Sequence, residues 1–435
     1  MGETANRRNG ATVPVDSAKS ASNRLWRKPP FHNDPADMAE AHSFTWHGTG
    51  QSLLEAKLRA IDAARSSVCM ETFTFRDSDV GLRFRSALAA AARRGVRVRL
   101  IVDAVGSFGL GRDYFDELVA AGGAMRWFNE LRLASFSFRD HRKLLVVDDT
   151  QAFVGGCNIA PEYGGDGITA GWRDGGVSVR GPVAAVLAAE FDRQWERATG
   201  QHWTFPHGGM RQRAPVGDGH EVEALFIKPG FGRNPLRDAF WQDLATAKDV
   251  AITAAYFLPP HRLRHRLAQA VARGARVRLL LAGKSDVRLM QLASRSLYRR
   301  LVQKGIELWE YQPQVLHAKL ILVDDIVFVG SSNLDPRSLR INFEIMLRIQ
   351  NPALAATARQ QFESDLAQRS TRITRDALKH RRSWWERLKQ HLAYWLFARL
   401  DPELASLKLQ AWHLRKGRFV RRVKRVRRAG ARQAE

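Results

Sequence analysis

The stretch His141-Arg-Lys143-Leu-Leu-Val-Val-Asp148 returns 176 residues later as His317-Ala-Lys319-Leu-Ile-Leu-Val-Asp324, one H-x-K-x4-D pattern written twice in a single chain. Each copy runs into a glycine turn with an asparagine, Gly155-Gly156-Cys157-Asn158 after the first and Gly330-Ser331-Ser332-Asn333 after the second. One such pattern is weak evidence. Two copies, both followed by G-[GS]-x-N, make coincidence a poor explanation.

The repetition extends upstream. Ala91-Ala-Arg-Arg-Gly95-Val-Arg-Val-Arg-Leu-Ile-Val-Asp103 matches Val271-Ala-Arg-Gly274-Ala-Arg-Val-Arg-Leu-Leu-Leu-Ala282, with Gly95 and Gly274 offset by 179 residues. Two halves of nearly equal length thus carry the same landmarks in the same order, the signature of an internal duplication. In the first half, Leu53, Leu54, Leu58, Ile61 and Ala64 recur at helical spacing. A strand over 67–75, a helix over 82–93 and a strand over 96–102 follow. The second half repeats this as a strand over 250–257, a helix over 262–272 and a strand over 277–281. Alternating strands and helices predict α/β halves with a parallel or mixed sheet covered on both faces. The pairing of strands stays open. Segment 208–219 is rich in turn formers and reads as a short linker.

The 435 residues allow two ordinary domains plus tails, and the outlier in composition is charge: 69 Lys and Arg against 44 Asp and Glu, a formal +25. That excess points to a polyanionic partner, either nucleic acid or an anionic membrane surface. The two cysteines, Cys69 and Cys157, are read as buried free thiols in a reducing compartment. The first forty residues are polar and do not resemble a signal peptide. No apolar run approaches the roughly 18 residues needed to span a bilayer, so membrane association is expected to be peripheral.

The twin motifs carry the chemistry. On a strand, His141 and Lys143 point to one face, as do His317 and Lys319. Asp148 and Asp324 belong to the same motifs but lie an odd seven residues on, so they are expected to face away and fix a turn. A neutral imidazole can attack phosphorus and split a difficult displacement into two steps. A second imidazole can protonate the leaving alkoxide and later deprotonate an incoming alcohol. Two lysines would clamp the non-bridging oxygens, with Asn158, Asn333 and the glycine-turn amides as further donors. This chemistry calls for no metal and no cofactor, and the spacing matches no recognised metal-ligand pattern. A nucleophilic imidazole needs its other nitrogen held by an acceptor, for which Asp174 and Glu344 stand downstream of the two motifs.

These residues resemble the two-motif phospholipase D superfamily, and most of all the bacterial cardiolipin synthases without N-terminal membrane spans. The similarity runs over about 44–369. Beyond the motifs it includes Asp103, Asn158-Ile-Ala-Pro-Glu-Tyr163, Tyr256-Phe-Leu-Pro259, Ser285-Asp286 and Gly330-Ser-Ser-Asn-Leu-Asp-Pro-Arg-Ser338. The resemblance implies two α/β sandwich halves related by a pseudo-twofold, with the active site at their interface. It implies the domain plan 1–43 disordered, 44–207 first phospholipase D-like domain, 208–219 linker, 220–369 second such domain and 370–435 a basic amphipathic tail. It also implies a ping-pong transfer through phosphohistidine, with nucleophile and acid falling on His141 and His317; pseudo-symmetry leaves their order open, and His141 is assigned here as the nucleophile. Two departures stand out. Gly156 occupies a position where many members have Ser, and one residue fewer separates Asp324 from Gly330 than Asp148 from Gly155, which is expected to shift Ser331.

The tail separates membrane from nucleic acid. Residues 371–435 hold 19 Lys and Arg against 5 Asp and Glu, a net +14 that leaves +11 for the rest. Within it, Trp384-Trp385-Glu-Arg-Leu388-Lys-Gln-His-Leu392-Ala-Tyr394-Trp395-Leu396 sets Trp385, Leu388, Leu392, Trp395 and Leu396 on one helical face, suited to a bilayer interface. The basic run with Arg421, Arg422, Lys424 and Arg425 would meet anionic headgroups. The alternatives are that the Trp stripe packs on the catalytic body, or that the tail grips nucleic acid. The continuous apolar face disfavours the latter. The reading is therefore a phosphatidyltransferase at the cytoplasmic face of the bacterial inner membrane, using phosphatidylglycerol. A hydrolytic phospholipase D, a nuclease and a non-catalytic membrane binder are the rivals, and the oligomeric state stays open.

Overall fold

Both copies of the repeat build the same seven-strand sheet. A computed structural model of the chain describes residues 42–129, 138–199, 209–213, 221–230, 233–380 and 384–400. The N-terminal segment up to 41, most of the 208–219 linker and the basic run with Arg421, Arg422, Lys424 and Arg425 lie outside the described residues.

The first sheet holds β1 (Ser43–His47), β2 (Ser67–Thr72), β3 (Arg97–Asp103), β4 (Ala124–Phe128), β5 (Leu144–Val147), β6 (Gln151–Gly155) and β7 (Gly176–Arg180). Their spatial order is β1-β7-β6-β5-β2-β3-β4. The second holds β8 (Met210–Arg213), β9 (Val222–Ile227), β10 (Asp249–Ala254), β11 (Arg276–Ala282) and β12 (Glu307–Tyr311). It continues with β13 (Lys319–Val323), β14 (Ile326–Gly330), β15 (Glu344–Gln350) and β16 (Ser370–Arg372). Without the edge strands β8 and β16, the order β9-β15-β14-β13-β10-β11-β12 repeats the first sheet strand for strand. In both, the three strands linked by crossover helices (β2-β3-β4 and β10-β11-β12) are parallel and the remaining pairs antiparallel.

Local chemistry sets these elements. The helix Gly50–Asp62 starts at a capping box in which Thr49 and Ser52 exchange backbone-to-side-chain bonds. The landmark glycines each end a helix and turn the chain into β3 or β11 with left-handed backbones, φ +87° at Gly95 and +96° at Gly274. A Cβ at either would meet nothing within 4 Å, so the need there is conformational. The central strand β2 is buried at all six residues because both of its faces are covered. Helices such as Gly50–Asp62 and Asp79–Arg93 pack on the outer face of the first sheet, and Pro235–Leu244 and His261–Ala272 on that of the second. The inner faces share one core, in which Leu144, Val146 and Val154 meet Leu320, Leu322 and Val329 between the helices Val183–Ala198 and Pro352–Arg369.

The structure corrects four sequence expectations. The linker is not wholly irregular: Met210–Arg213 pairs antiparallel with β9, because the edge of the second sheet is otherwise open there. The tail yields Ser370–Arg372 to the opposite edge, beside β12. His141, Lys143 and His317 precede their strands, and the backbones of the two histidines are engaged across the seam instead. The extra residue of the first motif is absorbed in its hairpin. Val147 pairs with Gln151 across three residues, whereas Val323 pairs with Ile326 across two, and the pairs Leu144–Val154 and Leu320–Val329 recover the same register. Ser331 is therefore not displaced.

Asp148 and Asp324 sit in those hairpins with φ of 54° and 48°. Asp148 accepts from the backbone amides of Arg65, Ser66 and Ser67, and from the Ser66 hydroxyl at 2.9 Å. Asp324 does the same for the amides of Lys248 and Asp249. In each half the motif carboxylate pins the entry to the central strand. These donors hold the Asp148 carboxyl below its usual range against a smaller burial than the site residues face.

Candidate active site

The chain crosses itself at two places to assemble the site. In one, His141 N donates to Phe343 O at 3.0 Å and Phe343 N to Arg139 O at 2.9 Å. In the other, His317 N donates to Arg173 O at 2.8 Å and Arg173 N to Val315 O at 2.8 Å. Each histidine-bearing segment is thus laid beside the carboxylate-bearing segment of the opposite half. Arg173 fastens the second crossing, binding Asp365 on the helix Pro352–Arg369 through Nε at 2.9 Å and Nη2 at 2.8 Å, with both side chains buried.

The consequence is a crossed pair of dyads. His141 Nδ1 donates to Glu344, 2.9 Å from Oε1 and 3.0 Å from Oε2, and His317 Nδ1 donates to Asp174 Oδ2 at 2.6 Å. Asp174 and Glu344 are the acceptors the sequence suggested, but each serves the histidine of the other half. Ser331 Oγ donates to Glu344 Oε2 at 2.5 Å and holds that carboxylate in place. In the first half a side chain has no room at the equivalent position: a Cβ on Gly156 would lie 2.3 Å and 2.5 Å from the Asp174 oxygens. Gly with Asp in one half thus replaces Ser with Glu in the other. Gly156→Ala is expected to push Asp174 off His317 and lower turnover about 100-fold, while Gly156→Ser combined with Asp174→Glu restores part of it. Initial rates and a thermal midpoint for each variant check this, and full activity in Gly156→Ala contradicts it.

Both histidines line one cleft of about 450 Å³, with Asn158, Asn333, Tyr163 and Trp172 on its walls and Arg76, Arg139 and Arg337 adding positive charge. Lys143 Nζ donates to the His141 carbonyl at 2.7 Å and lies 5.2 Å from the Phe73 ring centre. Lys319 Nζ lies 2.9 Å from His317 Nδ1 and 3.1 Å from its Nε2, and it also donates to the His317 carbonyl. The Tyr163 hydroxyl stands 3.5 Å from the same Nε2 and accepts from Asn158 at 2.9 Å. His141 Nε2 has no partner among the described residues. Asp148 and Asp324 do not line the cleft.

Burial lowers the His141 pKa to about 4, despite the opposing pull of Glu344, so the ring is neutral at pH 7. Burial likewise lowers Lys143 to about 7. His317 is lowered by burial and by the Lys319 charge, against Asp174. The Asp174 carboxyl is pushed up by burial, but the hydrogen bond from His317 and the charges of His317 and Lys319 outweigh that and hold it low.

Several side chains here carried no signal in the sequence. Phe73 packs edge-on to His141 at 4.9 Å between ring centres, and Trp172 lies 5.4 Å from His317. Lys57 is buried on the helix Gly50–Asp62, with Asp174 among the charges that act on it. Behind His141, Arg142 is fully buried and donates to Glu190 at 3.1 Å. Asp103, which the resemblance did single out, accepts the Asp140 amide at 2.8 Å, and this fixes the lead-in to the motif. Only tertiary contact reveals these roles. Cys69 and Cys157 are buried free thiols. Among the described residues no group of three or more His, Cys, Asp or Glu is placed to hold a metal ion.

Two like sheets with paired His–Lys motifs across one seam define a phospholipase D-like protein, and the chain belongs to that family: the family described as "Cardiolipin synthase, PLD-like domain" matches residues 58–195 and 241–366. It is 33% identical over 367 residues to cardiolipin synthase B of Salmonella typhi, covering 82% of this chain and 88% of that one. It is 35% identical over 337 residues to cardiolipin synthase A of Pseudomonas entomophila (strain L48), covering 73% of this chain and 67% of the relative. The crystal structure of phosphatidylserine synthase from Haemophilus influenzae Rd KW20 shares the fold at a TM-score of 0.65 and 14% identity, over 84% of this chain and 95% of that one.

Proposed function

We propose that the protein is a cardiolipin synthase-like phosphatidyltransferase. It moves a phosphatidyl group from phosphatidylglycerol, or another phospholipid, to a hydroxyl of phosphatidylglycerol. The observation that carries the reading is the crossed pair of dyads: two imidazoles, each tied through Nδ1 to a carboxylate of the other half, on one cleft.

In the first step His141 Nε2 attacks phosphorus while the bond to the leaving glycerol oxygen breaks, and His317 supplies that oxygen with a proton. In the second, the acceptor hydroxyl gives its proton back to His317 and its oxygen displaces Nε2, releasing the product. His141 suits the nucleophile because its Nε2 is unengaged, whereas the Nε2 of His317 faces Lys319 and Tyr163. Lys143 and Lys319 stabilise the charge spreading over the phosphoryl oxygens, so no metal is required. A bound phosphodiester opposes the burial and the Lys319 charge that hold His317 low, so the acid gains its proton with the substrate.

The test is direct. Purified protein in EDTA is given phosphatidylglycerol vesicles or DNA and the products are followed. Cardiolipin with glycerol supports the reading, phosphatidic acid alone makes the protein a hydrolase, and cut DNA makes it a nuclease. The pH profile is a second check. His141 is neutral above about pH 4, while Lys143 loses its charge as pH rises through about 7. The kcat/KM for transfer should therefore fall above pH 7, and the limb in kcat should move upward because bound phosphate favours the charged lysine. A kcat/KM that stays flat to about pH 9 would contradict that role for Lys143.

Peripheral docking at the cytoplasmic face of the bacterial inner membrane belongs to the same proposal. Helix Trp384–Trp395 turns Gln390 and Ala393 into the body and leaves Trp384, Trp385, Leu388, Leu392 and Trp395 exposed, at 61%, 57%, 42%, 58% and 55%. Among the described residues these side chains stay exposed, which favours docking over packing of the stripe on the catalytic body. The helix lies against Arg288–Arg295, where Leu289 is also exposed, and the next turn places Phe397 on the cleft wall. Among the described residues no helix is long and apolar enough to cross a membrane. Replacing Trp385, Leu392 and Trp395 together by Ser is expected to weaken partition onto phosphatidylglycerol vesicles about tenfold or more. Sedimentation with vesicles checks this, and unchanged partition removes the docking role.

A further inference from the structure

A second cavity, of about 520 Å³, opens behind the catalytic cleft in the second half. Its walls come from the end of β9, the helix Pro235–Leu244, the start of the helix His261–Ala272 and the segment 334–340. Among the described residues, five basic side chains line it (Lys228, Arg233, Arg237, Arg262 and Arg340), and no carboxylate does. Lys228 pairs with Glu190 at 3.1 Å and Arg237 with Asp238 at 2.8 Å, both carboxylates standing off the lining. Arg233, Arg262 and Arg340 have no carboxylate partner among the described residues.

An anion entering the cavity would meet three arginines without a carboxylate partner among the described residues, so the local field favours negative charge there. The helix His261–Ala272 adds to this field, since it has no acidic residue in its first turn and begins with His261 and Arg262 beside its own positive pole. The buried indole N–H of Trp241, also on the lining, has no acceptor among the described residues. Beneath the basic rim the floor is apolar, built from Ile227, Phe240, Leu263, Leu334 and Leu339. A basic rim over an apolar floor matches an anionic headgroup joined to a hydrocarbon chain.

The wall between this cavity and the cleft is one segment thick. Asn333, Asp335, Arg337 and Ser338 line the cleft, while Leu334, Leu339 and Arg340 line the cavity. We propose that the cavity is a second binding site, separate from the phosphoryl-transfer centre, for a phosphate-bearing anion with an apolar tail, met at a membrane as an anionic phospholipid. The site stands whether or not the transfer chemistry does, because it needs neither histidine motif.

Hydrogen exchange on the full chain carrying His141→Ala tests this without turnover. Dihexanoylphosphatidylglycerol should protect the amides at the start of the helix His261–Ala272 and along 334–340. Arg262→Gln with Arg340→Gln should raise the concentration for half-protection at least tenfold while leaving protection of the cleft segment around Asn158 unchanged. Both arginines are exposed, so the core is untouched, and an unaltered thermal midpoint checks that. Equal protection by inorganic phosphate would overturn the lipid assignment, and equal protection by dihexanoylphosphatidylcholine the anion assignment. No protection at these segments in the His141→Ala chain would overturn the site altogether.

Discussion

His141→Ala is expected to abolish transfer, with a loss on the order of 10³–10⁶-fold, and to remove any covalent lipid–protein intermediate. The reason is geometric: no other described imidazole on the cleft presents an unengaged Nε2. Labelled phosphatidylglycerol, quenched early with alkali, should leave label on the wild-type protein and none on His141→Ala. His317→Ala should lose turnover to a similar extent for a different reason, since the leaving alkoxide then departs without its proton. A donor with a more acidic leaving alcohol should rescue His317→Ala and not His141→Ala. Rescue of His141→Ala instead would exchange the two roles, and full activity in either variant would end the two-histidine mechanism.

The second large effect comes from the carboxylates. Glu344→Gln preserves shape but replaces the acceptor that fixes the His141 tautomer, and about 10²–10⁴-fold of turnover should go with it. Asp174→Asn should act likewise on His317. The crossing makes these changes separable. Glu344→Gln, in the second half, should block formation of the labelled intermediate on His141 in the first. Asp174→Asn, in the first half, should leave His141 held by Glu344 and impair the proton transfers at His317. If Glu344→Gln formed the intermediate at the wild-type rate, the cross-half dyad would have no part in activating His141. Lys319 touches both outcomes, because its amine lies beside His317 and its charge acts on both histidines.

Much of this was legible in the chain itself, for reasons that local physics supplies. The repeated motif and the paired glycines Gly95 and Gly274 carried the duplication. Each half must make the same helix-to-strand turn, and only glycine takes a left-handed backbone there without strain. The odd spacing placed Asp148 and Asp324 away from the histidine–lysine pairs, and both now cap the entry to a central strand. The Trp stripe was visible as helical periodicity. The edges were less legible. Met210–Arg213 and Ser370–Arg372 lie in segments whose composition reads as turn and tail, yet each completes an open sheet edge.

What the sequence by itself determined is the set of candidate site groups: two imidazoles, two amines, two carboxylates, and the α/β repeat that carries them. Periodicity and spacing act over a few residues, so they record which side chains share a strand or a turn. Only the tertiary structure decided that Glu344 serves His141 and Asp174 serves His317, that Gly156 yields its space to a carboxylate, and that Phe73, Tyr163 and Trp172 wall the rings. The two dyads join residues 143 and 203 positions apart. They exist because two sheets bury their inner faces in one core and leave the ends of the two motif strands meeting at the seam.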